Sequence, residues 1–328
     1  MIKSKIDLIL KSKWISKSPE NLPDFIISGG MKCATTTIHA ILAKHPDVYI
    51  PNGELHMFDM DDIFEHSDFN HYDQKNDRWY GAAQNFDKIW DSYHTKYKGK
   101  EIKLKGEDST AYLSSKKAFK RIALQHKPIK IIVMLRQPTS RAYSNYHHLL
   151  KSGRALYSFE DTIQYLPHTI LSRSMYKDQL ENLYEHIPRE RVKVVIFEDF
   201  VKDPKATLRE VSKFLEIDFS KFNESDFNTH ANKGNMPSSV SLKYKFSRNF
   251  RFFGNKLYSD KLLNFKPEKD SFFKRLAFII HNFINPVKEG KPEKMKASTK
   301  KFLDEFFSRE LEGLDELLGI KILEKWFK

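Results

Sequence analysis

Four short apolar runs of β-type composition punctuate the chain: Phe25–Ser28, Ile102–Gly106, Ile129–Leu135 and Val192–Phe197. The third is the strongest, and the second alternates with lysines. Runs of this length bounded by polar residues predict strands. Between them the apolar spacing changes to the helical period. Thr35–Lys44 puts Ile38, Ile41 and Leu42 on one face, and Thr139–Lys151 and Ser174–His186 follow the same rule. At Asp203-Pro204 a capping residue and a first-turn proline predict a helix running to about Leu215. Strands alternating with helices predict an α/β fold: a P-loop-like, three-layer arrangement with a central parallel sheet flanked by helices. In such sheets ligands bind at the carboxyl ends of the strands.

From about 238 to 296 the alternation stops. This stretch is rich in Phe and Lys, as in Phe246-Ser247-Arg248-Asn249-Phe250-Arg251-Phe252-Phe253, and Phe272–Ile280 reads as a basic amphipathic helix. A last helix, about Ser298–Leu318, ends at Gly319 as its cap. The chain therefore reads as one domain, with a core of about 22–237 and 297–328 and a basic helical insertion at 238–296.

Charge sharpens this division. The net charge is +13, and between Ser241 and Lys301 16 Lys and Arg face 5 Asp and Glu, a local balance of +11. Such an excess attracts an anionic partner: a polyanion, a phospholipid surface or a charged substrate. No nucleic-acid motif accompanies it. A membrane surface or an acceptor fits the interleaved Phe and Lys better, against the plainer reading of a solvated basic subdomain. Cys33 is the only cysteine, which excludes an intrachain disulfide and a thiolate metal cluster. The apolar run near the N-terminus is too short for a signal peptide or a span. The expectation is a cytoplasmic protein, with peripheral membrane contact through the 241–301 region.

Candidate chemistry begins right after the first strand, at Ser28-Gly29-Gly30-Met31-Lys32-Cys33-Ala34-Thr35-Thr36. A glycine loop entering a helix aims backbone N–H groups and a positive helix end at an anion. Lys32 adds charge and the threonines add hydroxyl donors. The nucleoside-triphosphate pattern needs Gly-Lys-Ser/Thr, which is absent here. A second site lies after the strongest strand, where Arg136 precedes a Pro138 turn and Ser144 sits one or two turns into a helix. Arginine plus a hydroxyl suits a phosphate dianion; the alternative is a structural ion pair. A third lies in Gly53-Glu54-Leu55-His56, where a carboxylate and an imidazole after a turn can act as base and helper. Cys33 as a nucleophile is set against Cys33 as a loop filler, and filler is preferred because no His–Cys pair is evident. His147-His148 reads as a surface or interface pair. No metal-ligand spacing is found.

Together these residues resemble the sulfotransferase superfamily, in its heparan-sulfate-type carbohydrate branch with bacterial relatives. Gly30-Met31-Lys32-Cys33-Ala34-Thr35-Thr36 is similar to that family's 5′-phosphosulfate loop. His45-Pro46-Asp47-Val48, Glu54-Leu55-His56-Met57-Phe58 and Gly106-Glu107-Asp108-Ser109-Thr110-Ala111-Tyr112-Leu113 follow in the family's order. Leu135-Arg136-Gln137-Pro138 with Arg141, Ser144 and Tyr146 resembles its 3′-phosphate site. Arg173–Tyr176, Phe197–Phe200 and Lys233-Gly234 complete the series. The resemblance implies 3′-phosphoadenosine 5′-phosphosulfate (PAPS) as donor and a glycan-type hydroxyl or amine as acceptor. It implies donor binding by Gly30, Met31, Lys32, Cys33, Ala34, Thr35 and Thr36, by Arg136 and Ser144, and by Lys233 and Gly234. It also implies Glu54 as general base, Lys32 acting on the departing phosphate, and no metal. His56 is the alternative base. Two positions depart from the family pattern: Ala34 replaces a glycine, and Asp108 replaces a lysine near the acceptor, which argues for a neutral or amino sugar rather than a sulfated one. A small-molecule or lipid acceptor, a P-loop nucleotide kinase and a non-catalytic nucleotide-binding protein are the competing readings.

Overall fold

The computed structural model describes residues 12–82, 86–228, 235–250, 271–290 and 292–328. The strands described are β1 (Phe25–Ile27), β2 (Val48–Tyr49), β3 (Asn70–Asp73), β4 (Arg78–Gly81), β5 (Leu104–Asp108), β6 (Lys130–Leu135), β7 (Val192–Ile196), β8 (Asn235–Pro237) and β9 (Val287–Glu289). The chain divides into two compact units.

The first unit takes in Met1–Asn70, Gly81–Gln137 and Tyr176–Ala231. It holds a five-stranded sheet in the order β2-β5-β1-β6-β7, and every pairing in it is parallel. All carboxyl ends therefore lie along one edge. Phe25 and Ile27 of β1, Ile132 and Met134 of β6 and Val195 of β7 point into one buried layer. There they meet Ile38, Ile41 and Leu42 of the Thr35–Leu42 helix and Leu208, Val211 and Leu215 of the Pro204–Leu215 helix. Ile26, Ile131, Val133 and Leu135 alternate to the opposite face and are equally buried. A parallel sheet covered on both faces has this nearly continuous apolar sequence. The predicted cap at Asp203 is present: its side chain accepts a hydrogen bond from the Ala206 N–H. The α/β fold with a central parallel sheet is thus the observed one.

The differences are local. The lysine-rich strand lies at Leu104–Asp108 rather than 102–106, because pairing with β1 matches Phe25 to Gly106 and carries the ladder to Asp108 opposite Ile27. The two-residue β2 has no apolar run to announce it.

The second unit takes in His71–Tyr80, Pro138–Met175 and Asn232–Lys328. The helix expected at Thr139–Lys151 begins at Pro138. His147 is not at a surface: it is buried with Tyr143 and Tyr146 edge-on to its ring. Burial, with Lys151 adding to it, lowers its pKa to about 4. The last predicted helix is two, Ala297–Glu310 and Leu314–Leu318, because Gly313 adopts φ 85 and interrupts it. Gly319 caps the second in a left-handed conformation as expected. The basic helix candidate extends over Phe272–Ile284. A second helix covers Val240–Phe250, and residues 251–253 of the Phe-rich run lie outside the described residues. Among the described residues no helix is long and apolar enough to cross a membrane.

Candidate active site

The loop after β1 continues the β1–β6 pairing. Ser28 N–H donates to the Ile132 carbonyl at 2.7 Å and Gly30 N–H to the Met134 carbonyl at 2.9 Å. A Cβ on Gly29 would lie 2.9 Å from the Met134 nitrogen, so only glycine permits this approach. Lys32 and Ala34 both have left-handed backbones, with φ 72 and 70. Ala34 is the N-cap of the Thr35–Leu42 helix, and its carbonyl accepts from Thr37 and Ile38. The family's glycine is therefore missing at a position where glycine has a conformational advantage. Thr35 is buried and Thr36 exposed. Cys33 is fully buried, with its sulfur 3.9 Å from the Tyr176 hydroxyl and 4.0 Å from the Met31 carbonyl. These neighbours fill space; neither is a base that would activate a thiol.

Arg136 follows β6 and reaches this loop. Its Nη1 donates to the Lys32 carbonyl at 3.1 Å, and its guanidinium lies over the Phe197 ring at 4.4 Å. Its Nε is buried without a hydrogen-bond partner. A buried guanidinium N–H left over beside a glycine loop fits an anionic oxygen. Ser144 lies on the Pro138–Lys151 helix of the second unit, while Arg136 belongs to the first. Lys233 and Gly234 lie outside the described residues. Arg141 and Tyr146 both make internal hydrogen bonds. Arg141 is fully buried and donates to the Ser174 hydroxyl and the Ile170 carbonyl, and the Tyr146 hydroxyl donates to the Tyr157 carbonyl.

Glu54 follows Gly53, whose φ of 79 makes the turn. Its Oε1 accepts from the Thr110 hydroxyl at 2.8 Å, and its Oε2 lies 2.9 Å from His56 Nε2. The Glu54 side chain is 34% exposed and that of His56 only 5%. Burial lowers the pKa of His56, against the opposing pull of the Glu54 hydrogen bond. Behind His56 lies Asp59, fully buried, with Oδ1 3.8 Å from His56 Nδ1 and Oδ2 2.8 Å from His66 Nε2. The His66 ring stacks on Phe69 at 4.4 Å and meets His56 edge-on. A buried carboxylate is costly unless it is partnered, and the two imidazoles are the groups that stand beside it. His56, Asp59 and His66 also bring one ligand atom each within 4.8 Å of one another, so among the described residues they form the group able to hold a metal ion.

The segment carrying Glu54 is held from β5. Glu107 is fully buried and accepts from three hydroxyls: Ser109 at 2.7 Å, Tyr112 at 2.6 Å, and Tyr93. Burial raises its pKa, and these hydroxyls oppose the rise. The Ser109 oxygen accepts from the N–H groups of Leu55 and His56, and the Tyr112 oxygen from the N–H of Phe58. Glu107 thus orients two hydroxyls whose lone pairs fix the backbone on either side of the left-handed His56 (φ 53). Asp108, next in line, is buried against His39 with Nδ1 3.2 Å from its Oδ2. Burial raises its pKa, with the His39 contact opposing.

Sequence reasoning named Glu54 and His56 but not Thr110, Asp59, His66 or the hydroxyl bracket. The Glu-x-x-x-x-Tyr spacing of Glu107 and Tyr112 was visible. Its purpose depends on pairings between segments more than fifty residues apart.

Comparison with known proteins places the chain among relatives. The profile of the sulfotransferase family matches residues 23–221. Human heparan sulfate glucosamine 3-O-sulfotransferase 5 is 28% identical over 210 residues, covering 60% of this chain and 54% of that protein. The bifunctional heparan sulfate N-deacetylase/N-sulfotransferase 1 of Caenorhabditis briggsae is 24% identical over 233 residues, covering 66% of this chain and 24% of that one. The chain thus spans about half, or less, of the length of these curated relatives. A sulfotransferase crystal structure from Alicyclobacillus acidocaldarius matches with a TM-score of 0.58 and 22% identity, covering 94% of this chain and 99% of that one.

Proposed function

The chain belongs to the sulfotransferase family, and we propose from that premise that it moves a sulfuryl group from PAPS to a hydroxyl or amine of a glycan-type acceptor. The observation that carries this reading is a partly exposed carboxylate, Glu54, held by Thr110 and His56 in the same unit as the glycine loop and Arg136. Bound PAPS supplies an activated sulfuryl group on a 5′-phosphate. Gly30, Met31, Lys32, Cys33, Ala34, Thr35 and Thr36 would hold that end through loop amides, the lysine and the hydroxyls. The buried Arg136 Nε supports this residue as an anion ligand. Ser144, Lys233 and Gly234 stand as proposed donor ligands on the family resemblance alone.

Glu54 takes the proton as the acceptor oxygen forms its bond to sulfur and the sulfur–phosphate oxygen bond breaks. Lys32 stabilises the charge left on that phosphate oxygen. The work is positioning and electrostatics. The greater exposure of Glu54 supports it over His56 as the base, since a group 5% exposed meets few acceptors. His56, with Nε2 2.9 Å from Oε2, orients Glu54. Asp108 is buried against His39 rather than open to solvent, which widens the proposed acceptors beyond neutral and amino sugars.

We further propose one sulfotransferase domain with a 238–296 insertion, a cytoplasmic location and an anionic partner for the basic 241–301 region. A lipid or small-molecule acceptor is the neighbouring alternative. The test is mass spectrometry of candidate glycans incubated with PAPS and either native or variant protein. Native protein and PAPS should add one sulfuryl group to an acceptor. Glu54→Ala should lower turnover by about 10²–10⁴-fold. Near-normal turnover in Glu54→Ala with loss in His56→Ala would overturn the assignment of the base. A transferred phosphoryl group from ATP would favour the kinase reading.

A further inference from the structure

The Phe272–Ile284 helix is built inside out. A helix in a soluble unit normally turns its apolar stripe inward. Here Phe272, Leu276, Ile279 and Phe283, spaced at i, i+4, i+7 and i+11, all face outward, with Phe283 87% and Phe272 73% exposed. Phe273, Ile280 and Ile284 widen the same stripe. The residue turned inward is polar: His281 is buried and stacks on Phe246 of the Val240–Phe250 helix at 3.9 Å. Beyond the helix, Asn285 is also buried and exchanges two hydrogen bonds with Ser239, at 2.7 and 2.9 Å. The helix is thus anchored through polar groups and presents its apolar side to the surroundings. A contiguous patch of seven large apolar side chains marks a binding surface.

Charge identifies the occupant. Lys274 and Arg275 lie on the same helix, Lys288 follows the exposed Val287, and no Asp or Glu occurs from Ser271 to Lys288. Two copies meeting through this face would bring like charges together, whereas an anionic surface neutralises them. At 13 residues the helix is roughly 20 Å long, too short for a hydrocarbon core of about 30 Å, so it would lie in the plane of the interface. We propose that this helix docks the protein on an anionic lipid bilayer, with the Phe272–Leu276–Ile279–Phe283 stripe in the acyl boundary and Lys274 and Arg275 at the headgroups.

The test uses the full chain and co-flotation with vesicles of phosphatidylcholine and phosphatidylglycerol, against phosphatidylcholine alone. Binding should need the anionic lipid and weaken with salt. The double variant I279S/F283S, exposed and outside the proposed catalytic machinery, should lose at least tenfold in binding while keeping turnover on a soluble acceptor. Lys274→Ala and Arg275→Ala should each lose about fivefold at low salt. A Phe283→Trp probe should shift its emission to the blue on adding anionic vesicles. Absence of co-flotation at low salt overturns the proposal. So does a dimer in sedimentation that I279S/F283S dissociates while native protein ignores vesicles, which would assign the face to a second copy.

Discussion

Ala34 holds a methyl group in the left-handed region, at φ 70 and ψ 24, at the point where the glycine loop becomes a helix. An L-residue there loses roughly 1–2 kcal/mol relative to its ordinary conformation, of which glycine recovers part. Ala34→Gly should therefore raise stability by roughly 1 kcal/mol, read as a higher urea midpoint with unchanged slope. A lower midpoint would mean the methyl makes contacts that outweigh the strain. His56 makes a pH-dependent contribution. Its folded pKa is lowered, mainly by burial, so as pH falls the unfolded chain takes up this proton before the native one does. The contribution is intact above the ordinary histidine value of about 6.5 and is lost as pH falls from there through the lowered folded value. Unfolding midpoints measured against pH should decline over that window, and His56→Gln should flatten the decline. An unchanged slope in the variant would place the titration elsewhere.

At the scale of elements, the bracket from β5 decides where Glu54 sits. Ser109→Ala removes the acceptor of two backbone N–H groups and one of three donors to Glu107. The expected cost is about 1–3 kcal/mol of stability, with a fall in turnover of roughly tenfold or more from misplacing Glu54. Urea unfolding and single-turnover assays measure the two effects, and an unaffected turnover would detach the bracket from the chemistry. The cluster behind His56 brings three ligand-type groups together. Ligand atoms around a tetrahedral ion stand roughly 3.3 Å apart, whereas His66 Nε2 and Asp59 Oδ2 are in direct contact at 2.8 Å. That contact is closer than a shared ion needs, so protein dialysed against a chelator is expected to retain full turnover, with no stoichiometric metal by elemental analysis. Loss of turnover restored by zinc would reverse this. Elements with a strong period were legible in the sequence: β6, the Thr35–Leu42 helix and the Asp203 cap need only local information. The break at Gly313 and the two-residue β2 were not, because one depends on a single backbone angle and the other on its β5 partner. At the site, Lys32, Glu54 and Arg136 could be named from motif order. The left-handed Ala34, the buried Arg141 and the Asp59–His66 pair required three-dimensional neighbours.

Across the whole molecule, the sheet gathers strand ends on one edge and the glycine loop leaves from its central strand, so that loop sits where parallel α/β sheets bind ligands. Most of the net positive charge, +11 of +13, lies in the 241–301 region, whose Phe272–Ile284 helix exposes its apolar side. The proposed catalytic residues and the proposed docking helix share no residue, which is why the exposed variants above are expected to spare turnover. The central claim is that the loop at 28–36 with Arg136 takes a phosphosulfate nucleotide rather than a triphosphate. Calorimetric titration with 3′-phosphoadenosine 5′-phosphate and, separately, with ATP and Mg²⁺ tests it most directly. The account predicts saturable binding of the first, weakened at least tenfold by Lys32→Ala and by Arg136→Ala, and little heat from the second. Tight, magnesium-dependent binding of ATP with none of the bisphosphate would contradict it.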